Sequence, residues 1–217
     1  MFSFHNLLGN GKHQVEDIDA SICTHIIYSF FVLDPTSYVM KLHDAWLDID
    51  LGNIEKFIKL KASNPGVKLL VALGGWTDSR KQPGEQMSKY SILLADPAKR
   101  TAFVNHAVQT LSQYGFDGLD LDYEYPVYDG VSTDRAGFTA LVQELRQAFS
   151  PRGLLLSAAV SASKFVTDKG YDVAEISAAL DWIGLMSYDL HGSWENQTDH
   201  HATLFGQPDD DLTVDVA

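Results

Sequence analysis

Cysteine is almost absent. Cys23 is the single one in 217 residues, so no intrachain disulfide can form. It sits in the apolar run of residues 21–27 and reads as a small buried hydrophobe. Positive charge is scarce, with 16 Lys and Arg against 29 Asp and Glu and a net charge of −13. There is no basic run. A polyanion would be repelled, which excludes nucleic acid and anionic membrane as partners and leaves solubility as the plain reading of the acidity. No apolar run approaches membrane-spanning length. The opening MFSFHNLLGNGK lacks the basic-then-apolar order of a signal peptide. Also missing are a G-x-G-x-x-G turn, a Walker-type loop, internal repeats and low-complexity segments, so no nucleotide cofactor is expected. What remains is 45% apolar and 21% charged, enough for one sizeable core.

Strand-like and helix-like segments alternate along the chain. Residues 25–32 (HIIYSFFV) are β-branched and aromatic, as in a buried strand. Ile54, Phe57 and Ile58 recur at helical spacing before the stop Asn64-Pro65-Gly66. A second strand runs from Val67 to Leu73 and ends in Gly74-Gly75-Trp76. Asp96-Pro97 starts a helix whose apolar face is Phe103, Val104, Ala107, Val108 and Leu111, and Gly115 stops it. After an acidic strand come a helix from Thr133 to Phe149, a strand from Leu154 to Val160, a short helix over 174–180 and a strand from Trp182 to Ser187. This order predicts an α/β fold with a parallel sheet. A doubly wound sheet and a (β/α)8 TIM barrel both fit. Polar and aromatic residues at several strand ends, among them Trp76, Glu124, Tyr125, Tyr188 and Asp189, favour the barrel, which builds its site there.

The acidic strand reads FDGLDLDYEYP, residues 116–126. Side chains alternate along a strand, so Asp120, Asp122 and Glu124 share one face and Leu119, Leu121 and Tyr123 the other. Asp117 has the opposite parity to these acids, so it stands either near the strand's start or turned by Gly118. Crowded carboxylates in a partly dry site cannot all ionise cheaply, and at least one is held protonated. A general acid requires that state. A hard-cation site is the alternative use of such a cluster. Catalysis is preferred, and no metal is expected.

This stretch resembles the D-x-x-D-x-D-x-E signature of family 18 glycoside hydrolases, the chitinases and their relatives. Four more segments resemble that family in order: residues 23–30, 68–76, 154–162 and 180–195, the last with Met186, Tyr188 and Asp189 as M-x-Y-D. The animal-type chitinases are the nearest likeness. The resemblance implies hydrolysis of β-1,4-linked N-acetylglucosamine in chitin by a retaining, substrate-assisted route. Glu124 would be the acid, Asp122 would orient the substrate's acetamide, Asp120 would tune Asp122, and Tyr188 would bond the acetamide oxygen. Asp117 completes the signature. Phe30, Gly74, Gly75, Trp76, Thr77, Tyr125, Met186, Ser187 and Asp189 would bind substrate. Core packing is the plain alternative for Phe30, Trp76 and Met186. The family also implies a secreted protein, to which the sequon Asn196-Gln197-Thr198 adds little.

The pattern departs in three places. Tyr123 stands where the family has Trp, on the face away from the acids, and implies a packing change. The first strand, around Met1 to Phe4, lacks the family's cysteine that can bridge to one at Cys23. The chain ends in what reads as a helix opening at Asp211 to Ala217, so residues 1–217 are expected to form one catalytic domain with about six of eight strands. Exposed sheet edges would then favour self-association. His200 and His201 read as loop residues and His191 as structural. Two other functions stay open: chitin binding without turnover, and an endo-N-acetylglucosaminidase on N-glycans.

Overall fold

A computed structural model of the chain describes residues 2–3, 13–129, 131–196 and 198–205. The helix opening at Asp211 to Ala217 lies outside them, as do Met1 and Phe4. Among the described residues seven strands form one sheet: β1 (Phe2–Ser3), β2 (His25–Leu33), β3 (Met40–Leu42), β4 (Lys68–Gly74), β5 (Gly118–Asp122), β6 (Leu155–Ser161) and β7 (Trp182–Met186). The helices are α1 (Asn53–Ser63), α2 (Trp76–Ser79), α3 (Lys89–Ala95), α4 (Pro97–Tyr114), α5 (Asp134–Phe149), α6 (Lys164–Gly170) and α7 (Val173–Ala179).

The spatial order β1-β2-β4-β5-β6-β7 is the chain order, and every neighbouring pair on this path is parallel. A doubly wound sheet reverses its direction of travel at a switch point. This sheet never reverses, so it winds one way and has the form of a (β/α)8 barrel wall with six parallel strands. β3 is an addition that pairs antiparallel with β2. Three residues leave no readable periodicity, which is why sequence pattern missed it.

Elsewhere the local signals act as expected. The Asp96 carboxylate accepts the amides of Ala98 at 2.9 Å and Lys99 at 3.3 Å and so starts α4. Gly115 ends α4 with φ of 84°, a conformation other residues resist. Leu119 and Leu121 of β5 join Phe103 and Leu111 of α4 and Phe138 and Leu145 of α5 in one buried core. Cys23 differs from expectation: it is a free thiol, half-buried at the core's edge. The neighbouring apolar side chain, Ile22, is 81% exposed, so this run skirts the core rather than entering it.

The opposite face of β5 carries the acids. Asp120 lies between Ala72 of β4 and Ser157 of β6, and Asp122 is level with Gly74. Small neighbours leave room for carboxylates inside the barrel. Gly74 is the tightest point. Its φ is +119°, and an added Cβ would lie 2.2 Å from the Asp122 carbonyl oxygen. A Gly74→Ala variant must part the ends of β4 and β5 and is expected to lose about 1–3 kcal/mol or more in chemical denaturation. Wild-type stability in that variant would mean the two strand ends part freely.

Candidate active site at the carboxyl ends of the strands

β5 ends at Asp122, and Glu124 follows just beyond it, after Tyr123 has turned back to the core. Asp120 and Asp122 are each 3% exposed, while Glu124 is half-buried. The Ser157 hydroxyl donates to Asp120 Oδ1 at 2.6 Å. Asp122 Oδ1 is buried and has no hydrogen-bond partner among the described residues. Such an oxygen is costly to bury and is aimed at something that can donate to it.

Two backbone clamps hold this turn. The Gly75 amide donates to the Asp122 carbonyl at 2.9 Å. Ser79, fully buried in α2, donates its hydroxyl to the same carbonyl at 3.3 Å and accepts the Glu124 amide at 3.0 Å. Ser79 therefore sets the spacing between the two acids' backbones. Sequence pattern did not find it, because nothing in a lone serine marks a partner 45 residues away.

Burial pushes Asp122 up to about 8, helped by the charges of Glu124 and Asp120. Burial also raises Asp120, with the Ser157 hydrogen bond working against it. Glu124 is raised by burial and by the Asp189 charge, against hydrogen bonds from Tyr125 and the Trp76 backbone. The phenol of Tyr188 is raised by burial and by Asp122, Glu124 and Asp189. The cluster therefore retains protons where isolated carboxyls would have lost them, as the crowding argument requires.

A cleft of about 630 Å³ opens over these acids. Asp122, Glu124, Tyr125, Met186, Tyr188 and Asp189 line it, together with Phe30, Gly75 and Trp76. Three further aromatics, Tyr128, Phe165 and Trp194, complete it and are half or more exposed. Tyr128 and Trp194 lie in connecting loops and Phe165 in the short helix α6, where no period reveals a wall. A second cavity of about 560 Å³ adjoins across Phe30 and Trp76, and Gly74 and Thr77 face that one. Ser187 lines neither; its amide bonds the Leu185 carbonyl at 3.0 Å. Asp189 has φ of 53°, and His201 holds its segment by accepting the Asp189 amide at 3.4 Å through Nδ1 and the Leu190 amide at 2.9 Å through its carbonyl. His191 Nδ1 lies 3.1 Å from Glu195, closing the turn that carries Trp194.

Asp117 is the correction. It stands at the other end of β5, where its Oδ2 accepts the Leu69 amide at 2.7 Å and pairs with Lys61 at 2.8 Å. It joins β4 to β5 at the barrel's bottom and is not brought to the cleft. Tyr123 also does more than fill space. Its hydroxyl donates to Asp134 Oδ2 at 3.0 Å, which accepts Ser91 at 2.8 Å and the Val127 amide at 3.2 Å. The ring stacks on Tyr90, 4.8 Å away at 12°. This knot ties the loop after Glu124 to α3 and α5.

The sequence profile of glycosyl hydrolases family 18 matches residues 7–217. Probable chitinase 10 of Drosophila melanogaster is 46% identical over 210 residues, covering 94% of this chain and 9% of that protein. The crystal structure of catalytic domain 2 of the Ostrinia furnacalis Group II chitinase superposes with a TM-score of 0.89 at 49% identity, covering 96% of this chain and 54% of that one. A mutant of the same domain, in complex with penta-N-acetylchitooctaose, (NAG)5, superposes at 0.88 with 48% identity over 96% of this chain and 54% of that chain. The chain thus spans about half the length of these solved structures.

The raised Asp122 has a consequence for stability. A carboxyl whose folded pKa exceeds its unfolded value stabilises the fold fully below the ordinary carboxylate range and loses that contribution as pH rises toward about 8. Asp122→Asn is expected to flatten the decline of unfolding free energy between about pH 4 and 8, by at most ~1.4 kcal/mol per pH unit. Denaturant titrations across that range measure it, and an unchanged slope would show that Asp122 ionises normally.

Proposed function

Because the chain belongs to glycosyl hydrolases family 18, we propose that its site hydrolyses β-1,4 linkages between N-acetylglucosamine units of chitin. The observation that carries this reading is the buried Asp122 Oδ1, without a partner among the described residues, on the same face as Glu124, whose carboxyl burial shifts upward. Glu124 protonates the glycosidic oxygen. The acetamide carbonyl of the sugar on the other side of the bond attacks its own anomeric carbon, and the leaving chain departs. Asp122 accepts the acetamide N–H and stabilises the positive charge of the oxazolinium-type intermediate. Asp120, fixed by Ser157, tunes Asp122. The Tyr188 hydroxyl donates to the acetamide oxygen. Glu124, now ionised, activates water, which opens the intermediate with net retention at the anomeric carbon.

The aromatic cleft suits the apolar C–H faces of sugar rings, and its volume of about 630 Å³ suits more than a single sugar. Action outside the cell fits a polymeric substrate.

Turnover of a fluorogenic chitotriose tests the acid: Glu124→Gln is expected to fall at least about 100-fold. Equal activity in the variant removes Glu124 from the role. The Asp189 charge raises Glu124, so Asp189→Asn is expected to lower that pKa. The acid must be protonated to act, so the basic limb of the kcat/KM profile should then move to lower pH. A limb that stays in place would assign it to another group.

A further inference from the structure

Trp76 and Tyr128 stand at the rim of the cleft, 49% and 50% exposed. Exposed rings are free to turn, and a ligand that stacks on them must bear the cost of ordering them. Here something already stands between the two. The Arg80 guanidinium carbon lies 4.6 Å from the centroid of the Trp76 ring and 4.4 Å from that of Tyr128. The rings are 5.8 Å apart and inclined at 75°, so the flat cation fits the angle between them. Asp129, the residue after Tyr128, comes within 3.6 Å of Arg80 Nη2, with its own side chain 14% exposed. Arg80 Nη1 is buried and has no hydrogen-bond partner among the described residues.

An ion pair that merely braces the loop would leave these facts odd. The carboxylate contact is long, and a donor is left unused while the guanidinium lies against two ring faces. That choice suits a group selected for stacking, which the planar guanidinium does and an ammonium does less well. The wall continues from this pair to the acid. Tyr125 lies 6.3 Å from Trp76 and 6.1 Å from Tyr128, and it follows Glu124 directly in the chain.

We propose that Arg80 is a positioning residue for substrate. It pins Trp76 and Tyr128 as one preformed wall, so that a bound sugar chain meets ordered rings. This rests on the reading of the cleft as a chitin-oligosaccharide site. Arg80 acts through the rings, so its loss weakens binding more than it slows chemistry.

The test compares Arg80→Ala, Arg80→Lys and Asp129→Asn with the unmodified chain on chitotetraose. Arg80→Ala is expected to raise KM about tenfold, from two cation–ring contacts, with kcat falling less than threefold. Arg80→Lys restores charge without the plane and should recover only part of the KM. Asp129→Asn should leave KM within about twofold. Near-ultraviolet circular dichroism reads the ring cluster without any sugar: Arg80→Ala should lose much of the signal that Trp76→Phe removes. An unchanged spectrum overturns the clamp. A changed spectrum with an unchanged KM, or equal losses in KM and kcat, overturns the positioning role. If the unmodified chain neither binds nor cleaves chitotetraose, the substrate reading fails and the positioning role falls with it, while the spectra still decide whether Arg80 orders the rings.

Discussion

A carboxylate taken out of water must find a partner or keep its proton, and the site is arranged around that constraint. Asp120 and Asp122 are almost wholly buried within a parallel sheet. One has found a serine, and the other has an oxygen without a partner among the described residues. A barrel can hold such a pair only if the walls nearby are small and the backbone cannot relax away. Gly74 and Ala72 satisfy the first condition. Gly75 and Ser79, both bonded to the Asp122 carbonyl, satisfy the second. The burial of the acids and the close packing of the strands are therefore one design.

Around this centre, two polar knots tie the strand ends to the outer helices. Asp78 accepts the Leu33 amide at 3.1 Å, Lys89 at 2.5 Å and the Tyr90 hydroxyl at 2.7 Å. Asp134 gathers Tyr123, Ser91 and Val127. The stacked rings of Tyr90 and Tyr123 join the two knots. Together they fasten α2 and the loop after Glu124 to α3 and α5.

Sequence reading went far where chemistry followed a period. The two-residue alternation of β5 correctly separated Asp120 and Asp122 from Leu119 and Leu121. It could not say at which end Asp117 stood, since alternation has no direction, and the lysine that answers the question lies 56 residues earlier on α1. The substitution of Tyr for Trp at 123 was visible, but its hydroxyl's partners are separated from it by 11 to 35 residues. Arg80, Tyr128 and Ser79 sit in stretches too short and irregular to show a pattern. Contacts made by folding distant loops together leave no local trace.

The strands follow one another around the barrel in the order in which the chain is read. Phe30, Trp76, Glu124, Ser161 and Tyr188 consequently appear around the mouth in rising number, each on its own strand or just after it. Position along the chain is thus an angular coordinate on the site. Lengthening or exchanging one crossing rotates no other, so each sector of the rim can vary by itself while the acidic sector stays anchored. A fold wound this way can gain a new ligand preference one arc at a time.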